Sequence, residues 1–164
     1  MLEQLKSLVQ EYAGDAIITN PAIPNEKNDE AVGLASNSIV DGLKNAISNG
    51  GVEEVTNIFK GGEQQVAQAA VTQDIKGNFV ERLVSKLGLE HGKASQIASA
   101  LIPMVMAKFV HKTNDPNDKS FDLSSILSGL TGGNMGGILG KLTGGNDNKG
   151  EGGGLMDKVK GLFN

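Results

Sequence analysis

Carboxylates, amides and a hydroxyl crowd one stretch of the chain, where Asp115, Asn117, Asp118, Ser120 and Asp122 fall inside TNDPNDKSFD. Side chains of these types at such density are what a calcium loop uses. An EF-hand loop needs oxygen ligands at its first, third and fifth positions and glycine at the sixth. Counting from Asp115 puts Lys119 at the fifth position, and counting from Asp118 puts Leu123 where glycine is required. The same residues fit a polar turn leading into a helix, with Ser120 or Asp122 as the cap of a helix around Leu123.

The other residues with chemical potential are equally isolated. His91 and His111 are the only histidines, and neither has a partner at metal-ligand spacing. His91 stands at an expected helix start, whereas His111 stands near an expected helix end, where its protonated form suits the dipole. Glu53 and Glu54 are adjacent, so on a helix they point about 100° apart and serve as first-turn acids rather than a catalytic pair. Gly140-Lys141 invites comparison with a phosphate-binding loop, but Leu142 replaces the Ser or Thr that would reach magnesium, and Met135 replaces the first glycine. No G-x-S-x-G is present. No catalytic residues, cofactor or metal are expected, and the chain is read as non-enzymatic.

Composition narrows the elements that would position any site. The 164 residues have room for one domain and a tail. With no Trp, one Tyr and five Phe, the core must be mostly aliphatic. Cysteine is absent, which excludes disulfides, thiolate metal ligands and cysteine nucleophiles. The net charge of −4, without a Lys/Arg cluster, argues against nucleic acid as a partner. MLEQLKSLVQEYAGDAIIT carries Glu3, Lys6 and Glu11 among its apolar residues, unlike a secretory leader, so a cytoplasmic location is expected. No apolar run reaches the roughly 18 residues of a spanning helix.

Periodicity indicates helices throughout. Leu2, Leu5, Leu8, Val9 and Tyr12 form one face of a helix ending near Gly14. NPAIPNEKN, with Pro21 and Pro24, is expected to be an extended connector in which Asn28 caps the next helix. A stripe from Val32 to Ile47 stops at Gly50-Gly51, and a short helix over Val52 to Phe59 is closed by Gly61-Gly62. A fourth begins at Val66 to Ala70, and Ile75, Phe79, Leu83 and Leu87 step by four, with Gly77 leaving open whether this run is one helix or two. The next face, Ala94 to Phe109, contains Pro103, which predicts a kink or break at Leu101 to Pro103.

FVERLVSKLGLEHGKASQIASALIPMVMAKF, from Phe79 to Phe109, resembles the YidB-like family of small bacterial proteins of unknown function, and Leu101-Ile102-Pro103 carries most of that likeness. The glycine-rich tail with its Ile-Leu-x-x-Leu units is similar in style. The resemblance implies a bacterial, all-helical, multihelical domain and assigns no catalytic residues. Residues 1–60 do not obviously match it.

More than half of the 23 glycines lie beyond Ser128, where ILSGLTGGN at Ile126–Asn134 returns as ILGKLTGGN at Ile138–Asn146. Glycines at four-residue spacing, such as Gly132, Gly136, Gly140 and Gly144, would let two helices approach closely. Each interior glycine costs about 1 kcal/mol of helix stability relative to Ala, which favours a flexible tail with apolar patches. Three patches result: Ile126, Leu127 and Leu130; Met135, Ile138, Leu139 and Leu142; and Leu155, Met156, Val159, Leu162 and Phe163. The last has an amphipathic stripe suited to folding against a groove or a bilayer surface. The expectation is an all-α protein with a helical domain over 1–112, a polar loop over 113–120 and a glycine-rich tail over 121–164. Its expected role is non-enzymatic interaction, the patches contacting a protein partner or the protein's own body. Peripheral membrane association through the last segment or the glycine ladder is the alternative.

Overall fold

The computed structural model describes residues 2–133. Seven α-helices follow one another: α1 (Leu2–Tyr12), α2 (Asn28–Ser48), α3 (Val52–Gly61), α4 (Glu63–Val66), α5 (Ala70–Leu87), α6 (His91–Thr113) and α7 (Leu123–Leu130). A π-helical turn at Gly14–Ile18 and 3₁₀ turns at Asn25–Lys27 and Lys119–Phe121 join them, and no strand occurs among the described residues. The all-α expectation is met.

The long helices α2, α5 and α6 form the centre, α5 packing against both of the others. Their apolar stripes meet there: Val32, Ala35, Ile39 and Leu43 from α2; Ile75, Phe79 and Leu83 from α5; Ile97, Leu101, Ile102, Val105 and Phe109 from α6. Burial of each large side chain contributes roughly 1.5–3 kcal/mol, which is what lets short helices persist. α1 is one such helix, held by Leu5, Leu8 and Val9 against α2 and α6. The buried cluster does not end at residue 112. Phe121, Ile126, Leu127 and Leu130 belong to it, so 113–130 extend the body rather than begin a tail.

Two glycines inside helices have opposite roles. Gly42 of α2 is buried, and a Cβ there would overlap Ile75 Cγ1 and stand 3.2 Å from Cδ1. Its missing side chain is what lets α2 and α5 approach. Gly77 of α5 is exposed with open space around it, and α5 runs through it without interruption, because burial of Ile75, Phe79 and Leu83 outweighs one unfavourable propensity term.

Pro103 does not break its helix either. α6 continues from His91 to Thr113 with Pro103 inside it. The proline sits toward the solvent side, beside exposed Met104 and with exposed Ser99 four residues back, so water can satisfy the Ser99 carbonyl that loses its amide partner.

The connector over 20–28 is folded rather than extended. Asn20 accepts from Ala22 N through its side chain and from Ile23 N through its carbonyl, both at 3.0 Å, and Ile23 is buried. Asn28 is not a cap: it is the first residue of α2, its Nδ2 donates to the Ile18 carbonyl at 3.5 Å, and its Oδ1 has no partner. α5 ends at Gly88, whose φ of 69° allows Leu89 N to donate to Leu83 O while the Leu89 side chain returns to the core.

Alanine at these two helical glycines should therefore change stability in opposite directions. Gly77→Ala should raise it by about 0.5–1 kcal/mol through helix propensity. Gly42→Ala should lower it, because overpacking of about 1–3 kcal/mol exceeds the same propensity gain. Urea unfolding followed by circular dichroism measures both, and a stabilised Gly42→Ala would contradict the close approach.

Candidate interaction surface

The end of α6 is joined to the segment before α7 by aromatic rings. Phe109 lies edge-to-face with Phe59 of α3 at 5.2 Å and with Phe121 at 5.6 Å. Asn114, just past α6, donates from Nδ2 to the Phe59 carbonyl at 2.7 Å and to the Val110 carbonyl at 3.0 Å, closing the ends of α3 and α6 together. Lys112 Nζ stands 3.7 Å from Asp118 Oδ2 and 5.8 Å from the Phe121 ring centre.

The acids of TNDPNDKSFD are distributed along this turn rather than gathered around a point. Asp115 Oδ1 accepts from Asn117 N at 2.9 Å, and Asp118 Oδ1 accepts from Ser120 N at 3.0 Å. Asp122 is the N-cap of α7: its Oδ2 accepts from Ser125 N at 3.0 Å, Ser124 Oγ at 2.6 Å and Ser125 Oγ at 3.2 Å. These bonds, foremost that from the Ser124 hydroxyl and then that from the Ser125 amide, hold its carboxyl below the ordinary value of 3.8. Phe121 and Ile126, on either side of the first turn and both buried, occupy the positions of a hydrophobic staple. Ser120 takes no capping role.

α7 packs on α2 with Ile126 at 2 % exposure and Leu127 and Leu130 at 6 % each. The first patch is thus a docked helix on the protein's own body. Gly132 and Gly133, with φ of 66° and 86°, end it, Gly133 N donating to the Ser128 carbonyl at 3.0 Å. Gly132, the first glycine of the four-residue ladder, is left-handed, and Gly136, Gly140 and Gly144 lie outside the described residues. Ile138, Leu139, Leu142, Leu155, Met156, Val159, Leu162 and Phe163 lie outside the described residues.

Two open clefts carry the remaining polar groups. Glu53, Glu54 and Asn57 of α3 face Gln64, Gln65 and Gln68 across a 530 Å³ hollow with Ile58 among its lining. Both acids of the pair thus border one cleft, together with the amide side chains. His111 lines a second hollow of 370 Å³ with Glu63, Asn114 and Asp115. Among the described residues no three His, Cys, Asp or Glu side chains converge as a metal site, and no helix is long and apolar enough to cross a membrane.

The model of DUF937, described as a bacterial protein of unknown function, matches residues 69–162. The chain belongs to this family. The DUF937 span contains the YidB-like stretch Phe79–Phe109, begins one residue before α5, and takes in α6, α7 and the two further apolar patches except Phe163. α1 to α4 precede it. No curated protein and no solved structure matches the chain.

The residues that sequence reasoning missed are Asn114 and Phe121. Phe121 was recoverable, being apolar and immediately before a capping Asp, whereas the bond from Asn114 to Phe59 spans 55 residues and leaves no local signal.

The Asp122 cap gives α7 a pH dependence. Because its carboxyl titrates lower in the folded protein than in the unfolded chain, its contribution is complete above the ordinary carboxylate range and is lost as pH falls through the lowered value. Amide hydrogen exchange should show α7 protection decreasing on acidification ahead of α5, and Asp122→Ala should already show the reduced protection at pH 7. Equal protection of α7 in Asp122→Ala and the unaltered protein would dismiss the cap.

Proposed function

We propose that this DUF937 member is a cytoplasmic, non-enzymatic interaction protein that presents short apolar segments on a helical body, Leu155–Phe163 being the segment offered to a protein partner. The observation that supports this most is α7. One member of the chain's set of Ile/Leu patches is already a docking helix, with a cap at one end, a glycine stop at the other, and three aliphatic side chains buried between them. LMDKVKGLF has the spacing for the same mode of contact, with Leu155, Met156, Val159, Leu162 and Phe163 on one helical stripe and Asp157, Lys158 and Lys160 off it.

A helix of this length needs a packing surface to offset nucleation, which a partner's groove would supply. Short amphipathic helices in grooves are read through such anchors, and specificity then follows from the shape of the partner's groove.

A photo-crosslinking residue in place of Val159, in the full chain inside a bacterial cell, tests this. The expected result is a discrete adduct with another polypeptide that disappears when Leu162→Asp is added. Adducts confined to the protein's own residues would assign the segment to its own body and overturn the partner.

A further inference from the structure

The seat of α7 allows the repeat to be compared position by position with a known role at each position. Moving twelve residues along the chain from Asp122 reaches Asn134, and Leu123, Ile126, Leu127, Leu130 and Thr131 map onto Met135, Ile138, Leu139, Leu142 and Thr143. Gly132-Gly133 maps onto Gly144-Gly145.

The cap position, the buried anchors and the glycine stop are retained, whereas Ser124 and Ser125, whose hydroxyls also bond Asp122, are not. Asp122, the N-cap, becomes Asn, which caps equally well. Half-buried Leu123 becomes Met, and the three buried anchors are identical. Thr131, whose hydroxyl donates to the Leu127 carbonyl at 2.9 Å, is again Thr, and the two glycines of positive φ recur. The changes fall where the docked helix is exposed or half-exposed: Ser124, Ser125, Ser128 and Gly129 become Gly136, Gly137, Gly140 and Lys141. A duplication without function at the seat has no reason to spare the cap, the anchors and the stop together while altering the outward positions.

We propose that Asn134–Gly145 is a second docking element for the surface of α2 that α7 occupies, so that the body accepts its own chain in two registers twelve residues apart. The occupant is a segment of this same chain, and its attachment starts from the end of α7, so it needs no second molecule to reach the seat. The additional glycines make the second element the weaker helix former, in keeping with the first one being seated. Exchange draws the segment beyond Asn146 toward the body and releases Asp122–Gly133. This inference is independent of the proposed partner.

Deleting residues 122–133 from the full chain tests it, because Asn134 then follows Phe121 directly and the second element enters in the first one's register. Expected is a cooperative unfolding midpoint within about 5 °C of the unaltered protein, with new amide protection at Leu139 to Leu142. Removal of 122–145 should lower the midpoint by clearly more, and Ile138→Asp with Leu139→Asp in the shorter deletion should reproduce that loss. If removal of 122–145 prevents folding, whether the shorter deletion folds decides alone. Equal loss in the two deletions overturns the proposal. So does a dimer of the shorter deletion by sedimentation, which would put the element on a neighbouring copy.

Discussion

Phe109 is the side chain on which α3, α6 and the segment before α7 converge. With so few aromatic residues in the chain, three of them are spent in one row, Phe59 to Phe109 to Phe121. Edge-to-face contact is directional, so the row sets angles as well as supplying buried area. It fixes the end of α6 against α3 on one side and the polar loop on the other. Without Phe121 at its position the Asp122 cap would begin a helix aimed elsewhere, and Ile126, Leu127 and Leu130 would have no defined surface to meet. The seat of α7 on α2 depends on that geometry.

Much of the fold was legible because it rests on short-range periodicity. The stripes of α1, α2, α3 and α6 could be read from three- and four-residue spacing, and the cap at Asp122 from its place between a polar turn and an apolar run. Inferences from single residues depend on their surroundings. Gly77 and Pro103 are both unfavourable in an isolated helix, yet α5 and α6 continue through them, since tertiary packing supplies more than either residue removes. Asn28 is a good cap by type, but its side chain turns back to Ile18 across a folded connector.

The apolar patches were legible in a different sense. An amphipathic patch announces that it needs a partner and not which one, since the hydrophobic effect is indifferent to the identity of the covering surface. Ile126, Leu127 and Leu130 read from sequence as an apolar patch, while the fact that α2 covers them depends on contacts between residues far apart in the chain. Gly132 and Gly133, which composition groups with the glycine-rich tail, act as a stop with a defined conformation.

The limit of shared sequence has a consequence for how such a chain diversifies. The DUF937 match starts at Ala69, but the surface that α2 shares with α5, with Gly42 against Ile75 at its tightest point, lies on both sides of that limit. The homologous part is therefore not a separable module here. Its seam runs through close-packed interior rather than along a linker, so recombination at residue 69 would inherit an open wound of Ile75, Phe79 and Leu83 unless the incoming half brought a helix smooth enough to close it.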